Sequence, residues 1–74
     1  MKIKYTPEVD ILRITFKDTD IEESGQDTSG VIMDFDIDGN VVGIEILQAS
    51  RRIDNPLDIA YEIESNACDR LLNT

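Results

Sequence analysis

The chain contains no histidine. This removes the usual general base near neutral pH and the commonest transition-metal ligand. A single cysteine, Cys68, excludes a disulfide within the chain, and a lone thiol points to a reducing, cytoplasmic setting. Long apolar runs are missing too: none in the sequence approaches the about 20 residues a membrane span needs. The opening Met-Lys-Ile-Lys-Tyr runs straight into an alternating segment and has no signal-peptide core. The last scarcity is positive charge. Between Lys17 and Arg51 there is no Lys or Arg, while nine acids fall there: Asp18, Asp20, Glu22, Glu23, Asp27, Asp34, Asp36, Asp38 and Glu45. Sixteen acids face seven bases over the whole chain, a formal net charge of −9. Direct nucleic-acid binding is disfavoured, because affinity there comes from neutralising phosphates. A basic protein or a hard cation fits this field better, and the acidity also keeps a small domain in solution.

What is present builds one small domain, residues 1–74, with no internal repeat and no linker to divide it. A chain of this size buries only about 60% of its unfolded surface, so oligomerisation, a metal or a partner would add needed burial. Lys2-Ile3-Lys4-Tyr5 alternates with the period of a strand, and Thr6-Pro7-Glu8 reads as a turn. Residues 10–16 form a second strand, with Leu12, Ile14 and Phe16 on one face and Ile11, Arg13 and Thr15 on the other. The acidic, polar span from Lys17 to Gly30 is a loop holding a short edge strand around Ile21 to Glu23. After Ile46 a short helical turn runs through Arg52 and ends at Asp54-Asn55-Pro56. Leu57, Ile59, Tyr61 and Ile63 alternate with Asp58, Ala60, Glu62 and Glu64, which favours a strand over 57–64. The same region also carries a helical stripe of Leu57, Ala60, Tyr61, Ala67, Cys68 and Leu71, and a short helix or frayed end is expected after Asn66. The expected fold is α+β and mainly β: an antiparallel sheet of about four to five strands, built on hairpins 2–16 and 31–46, with a short helix after the last central strand.

The densest motif is Asp34-x-Asp36-x-Asp38-Gly39 followed five residues on by Glu45. It satisfies a calcium loop's demand for oxygens at positions 1, 3 and 5, glycine at 6 and glutamate at 12. A helix must precede such a loop, yet the preceding residues include Gly25, Thr28, Ser29 and Gly30, all poor in a helix interior. A hairpin competes. With Asp38-Gly39 as a two-residue type I′ turn, Phe35 faces Val42, Met33 faces Ile44 and Val31 faces Ile46, all apolar and on one face. Asp34, Asp36 and Glu45 then share the opposite face. Like charges so placed repel and need a counter-charge: Arg13 on a neighbouring strand, a metal ion, or the basic side chains of a partner.

Catalysis has little to work with. Cys68 has no activating neighbour beyond Arg70, and Ser24, Ser29, Ser50 and Ser65 lack a recognisable base. A carboxylate pair needs a cleft that so small a domain hardly offers. Ile11, Ile32 and Val41 place apolar spots on the charged parity of their strands, which marks a candidate self-association face.

Taken together, Tyr5-x-Pro7-Glu8-x-Asp10-x-Leu12, Gly30-Val31, the Asp-rich turn, Val42-Gly43-Ile44-Glu45-Ile46-Leu47 and Ala49-Ser50 resemble the small bacterial domain-of-unknown-function family 2283. The resemblance covers about residues 1–53, leaving 54–74 as a C-terminal strand or helix. It implies a small, mainly antiparallel β domain in which the Asp-rich turn joins two strands. It brings no established activity or cofactor, and some family members look like the acidic half of toxin–antitoxin pairs. Thr6 stands where an aspartate usually follows the tyrosine, and Arg13 where an aromatic is usual. The expectation is a non-enzymatic acidic protein-binding module without cofactor, an antitoxin-like neutraliser of a small basic protein, using Asp34, Asp36, Glu45 and Arg13. Its alternatives are a calcium module on Asp34, Asp36, Asp38 and Glu45, or a homo-oligomeric structural domain, a homodimer joined through Ile11, Ile32 and Val41.

Overall fold

A computed structural model describes residues 1–26 and 29–64. Five strands form one antiparallel sheet: β1 (Lys2–Thr6), β2 (Ile11–Thr15), β3 (Glu23–Gln26), β4 (Val31–Phe35) and β5 (Val41–Leu47). A short helix, α1 (Ala49–Arg52), follows the last strand. Their order across the sheet is β1-β2-β5-β4-β3, so the chain's last strand lies at its centre. The fold is the mainly β, antiparallel one that the alternation of apolar residues demands. The short strand of the acidic span lies at Glu23–Gln26, later than Ile21 to Glu23.

The register sorts the side chains into rows. On one face Tyr5, Leu12, Ile46 and Val31 lie abreast, and beside them Ile3, Ile14, Ile44 and Met33. Burying these rows drives the sheet together at about 25 cal/mol per Å² of apolar surface removed from water. The opposite face carries Lys4, Arg13, Glu45 and Ile32 in one row and Lys2, Thr15, Gly43, Asp34 and Ser24 in the next. A one-residue slip of any strand would exchange the two sets, so the pattern itself specifies the pairing. Enclosure is thin: among the described residues, Leu12, Val42 and Ala49 are the buried apolar side chains.

The 31–46 hairpin keeps the expected pairing of Met33 with Ile44 and Val31 with Ile46, but its tip differs. Phe35 pairs with Val41 instead of Val42, through a register shift between Asp34 and Phe35. The loop has three residues, Ile37, Asp38 and Gly39, closed by the Asp36 N–H to the Asn40 carbonyl and the Gly39 N–H to the Asp36 carbonyl. A two-residue type I′ turn needs positive φ at both Asp38 and Gly39. Here Gly39 has φ +83° and Asp38 is not in that region. The Asp36 carboxylate decides the matter: one oxygen accepts the N–H of Asp38 and that of Asn40, both at 2.9 Å. It thereby holds a type I turn that passes into the left-handed residue Gly39.

The connection from β2 to β3 must cross the ends of β5 and β4. It is tied down where it leaves, by the N–H groups of Phe16 and Lys17 donating to the Val42 carbonyl, and where it arrives, by the Glu22 N–H donating to the Phe35 carbonyl. Residues 57–64 are not a strand, against the expectation from their alternation. The Asp58 N–H turns back to the Asn55 carbonyl, and no described hydrogen bond pairs residues 59–64 with a sheet edge. The helix or frayed end expected after Asn66, with Cys68, lies outside the described residues. No helix among the described residues is long and apolar enough to cross a membrane.

Gly39 isolates the conformational demand of the hairpin tip, because a Cβ built there meets nothing within 4 Å. Gly39→Ala is expected to lower stability by about 1 kcal/mol through its left-handed backbone alone, as measured by urea denaturation with an unchanged m-value.

Candidate functional site

Arg13, Asp34 and Glu45 come together as one ion cluster on the polar face. Arg13 Nη1 donates to Asp34 Oδ2 at 2.9 Å and to Glu45 Oε1 at 2.6 Å. The Glu45 contact is between direct neighbours across β2 and β5. To reach Asp34 the guanidinium crosses β5 altogether, and Gly43 is what lets it pass. A Cβ at Gly43 would stand 3.3 Å from Arg13 Nη2 and 3.2 Å from the Ile14 carbonyl oxygen. Ser24 completes the set from β3 by donating its hydroxyl to Asp34 Oδ1 at 2.6 Å. Asp34 is only 4% exposed, a costly place for a carboxylate unless both oxygens are bonded. Both are. Asp34, first, and Glu45 hold the Arg13 guanidinium more firmly protonated than usual.

This arrangement changes what the expected binding residues can do. Asp34 and Glu45 are spent on Arg13 and are poorly placed to receive a partner's lysine or arginine. Asp36 lies beyond the end of β4, at the hairpin tip, and its carboxylate accepts the turn's own N–H groups. The four residues of the calcium pattern are likewise apart in role. Among the described residues, no group of three or more Asp, Glu, Cys or His side chains is placed to hold a metal ion. Ile11 and Ile32 are half-buried on the Arg13 face, and Val41 is exposed beside the hairpin tip.

A second polar cluster was not foreseen from the sequence. Asp10, at φ 56°, closes the β1–β2 turn in the left-handed region, which aspartate tolerates better than most residues. Its Oδ1 accepts the Tyr5 hydroxyl at 2.7 Å and the Ser50 N–H at 3.0 Å, its Oδ2 accepts the Ser50 hydroxyl at 2.6 Å, and its carbonyl accepts the Ala49 N–H at 2.9 Å. Gln48, the residue before α1, offers no side-chain cap; Asp10 performs that service from across the fold. Ser50 foremost, then Tyr5, hold the Asp10 carboxyl below the usual aspartate range, and the same bond pushes the Tyr5 phenol up. The signal lay in Asp10 directly after a turn, and in Ala49-Ser50 directly after a strand, though nothing local joins them.

Four further acids meet at the hairpin tip. Asp20 and Glu22 of the crossing loop and Asp36 and Asp38 of the tip line one cleft of about 270 Å³, together with Lys17. Ile37 projects among them, 80% exposed. The Asp36 carboxyl is held below the usual aspartate range by the N–H groups of Asn40 and Asp38.

Two outcomes follow for stability. Asp34→Ala and Arg13→Met should each cost about 1.5–3 kcal/mol, the worth of a hydrogen bond to a charged group. The double variant should lose clearly less than their sum, a coupling that urea titrations in a double-mutant cycle would register. Acid titration probes the other cluster. Asp10 and Asp36 have lowered folded-state pKa values, so their contribution is complete above the unfolded aspartate value of about 3.9 and lost as pH falls through the folded values. Melting temperatures should therefore drop below about pH 4, and less steeply in Asp10→Asn and Asp36→Asn.

The geometry also accounts for the boundaries of a relationship to known sequences. The family model described as "Protein of unknown function (DUF2283)" matches residues 2–50, a span that opens with β1 and closes on Ser50, the residue that Asp10 holds. No curated protein and no solved structure matches the chain. With the match covering well over half its length, the chain belongs to the family described as Protein of unknown function (DUF2283).

Proposed function

We infer that the chain is a non-enzymatic, acidic protein-binding module of the cytoplasm, and that it docks a small basic protein, as an antitoxin-like neutraliser would. One observation carries the reading: Ile37, 80% exposed on a turn braced by Asp36, stands among Asp20, Glu22, Asp36 and Asp38. An apolar anchor set among four carboxylates, with Lys17 as the one base lining the same cleft, has the make-up of an interaction patch, in which the anchor supplies affinity and the excess negative charge supplies orientation and association rate. Asp34 and Glu45 take no direct part. With Arg13 they stiffen the strands that carry the patch. The partner's complementary surface is rich in Lys or Arg and has a small apolar pocket.

The test is a pull-down from native lysate at low and then rising salt, with wild type beside Ile37→Asp and Asp20→Asn/Asp38→Asn. A small basic protein should be retained at low salt and released as salt rises. Ile37→Asp should weaken its binding by on the order of tenfold or more. A basic protein captured equally by all three proteins would sink the assignment of the patch, and capture of no basic protein would sink the function.

A further inference from the structure

Residues 57–64 have the pattern of a strand and, among the described residues, pair with none. Leu57, Ile59, Tyr61 and Ile63 are 78, 48, 80 and 54% exposed, so an entire alternating apolar row lies open to water. The segment leaves the domain from a fixed point, since α1 is held by Asp10 and Pro56 is buried. Its Tyr61 shares a hollow with Met1 and with Ile3 of β1 in the same chain. Yet no described hydrogen bond joins residues 59–64 to β1, and Met1 and Ile3 also remain open, at 81 and 40%.

β1 is itself unfinished. Among the described residues it is an edge strand, with one side of its backbone unpaired. Its residues divide into an apolar row, Ile3 and Tyr5, and a basic row, Lys2 and Lys4. The 57–64 segment divides in the matching way, into its apolar row and an acidic row of Asp58, Glu62 and Glu64. Laid along β1 as a sixth strand, it would continue the apolar face with one row and set carboxylates against Lys2 and Lys4 with the other.

We propose that two copies of this chain exchange these segments, each adding residues 57–64 of one copy to the β1 edge of the other. Isologous exchange of an extended arm satisfies both edges at once. Each contact would enclose roughly 700 Å² of apolar side chain, and twofold symmetry doubles this, which falls within the about 1,200–2,000 Å² of a stable interface. The lysines of β1 make the edge selective, because an unrelated neutral or basic strand meets unpaired charge there. The dimer interface lies on this edge, away from Ile11, Ile32 and Val41 and away from the acidic end proposed to bind a partner.

Charge exchange between the two rows tests the proposal. One variant carries Lys2→Glu/Lys4→Glu, the other Asp58→Lys/Glu62→Lys; all four positions are exposed, so folding should be unaffected, as circular dichroism and melting would verify. Wild type should sediment at twice the chain's 8.3 kDa. Each variant alone, with like charges facing, should dimerise on the order of tenfold more weakly. Mixed together, they should form a heterodimer in native mass spectrometry, because both exchanged contacts then regain opposite charges. A monomeric wild type at high micromolar concentration would overturn the proposal. Variants that each dimerise like wild type, or a mixture without heterodimer, would overturn it equally.

Discussion

One guanidinium ties together the three central strands. Arg13 stands on β2, bonds to Glu45 on β5 and crosses that strand to Asp34 on β4, which in turn holds Ser24 on β3. The consequences spread outward from this contact. A Cβ at position 43 would crowd its path, Asp34 can be buried without an unpaired oxygen, and the neighbouring carboxylates of Asp34 and Glu45 gain a shared counter-charge.

Asp10 does for the helix what Arg13 does for the sheet. A left-handed aspartate in one turn grips the residues that start α1, although forty positions separate Asp10 from Ser50. Tyr5, Asp10 and Ser50, together with Gly43, Asp34 and Glu45, belong to the segments by which the chain resembles its family. Each of them has a physical task in one of the two clusters, so this part of the resemblance describes how the domain is held together. Of the side chains around Ile37, Asp36 is bonded to its own turn, and Ile37 itself stays 80% exposed.

The strands were legible because alternation is a local property: Leu12 and Ile14, Met33 and Ile44, Val31 and Ile46 declare their shared face without reference to anything distant. Arg13 could be named as a counter-charge for the same reason, since its parity was known. The hairpin tip misled because Asp38-Gly39 is the strongest short turn signal, while the competing effect, a carboxylate at Asp36 bonding two N–H groups, depends on geometry that the dipeptide does not show. Asp36 was accordingly set beside Asp34 when it belongs to the turn. Ser24 was invisible as a partner because Ser24-Gly25 reads as loop punctuation, and nothing local places it on a strand beside Asp34. Residues 57–64 show the limit of periodicity from the other side: their alternation states what the segment can pair with, and among the described residues it pairs with no strand.

The strand order carries a kinetic meaning. β1 and β2 form one local hairpin, and β3, β4 and β5 form a local meander; the sheet becomes one only where β2 docks against β5. Every contact across that seam spans a large sequence separation, as Arg13 to Glu45 does at 32 residues. Loop closure must be met there before any contact compensates for it. The two parts can each assemble early, and the slow event is their meeting. Because Arg13 belongs to one part and both of its carboxylates to the other, the ion cluster forms at that meeting, and its contribution to the folding rate reports how far the seam has closed at the transition state.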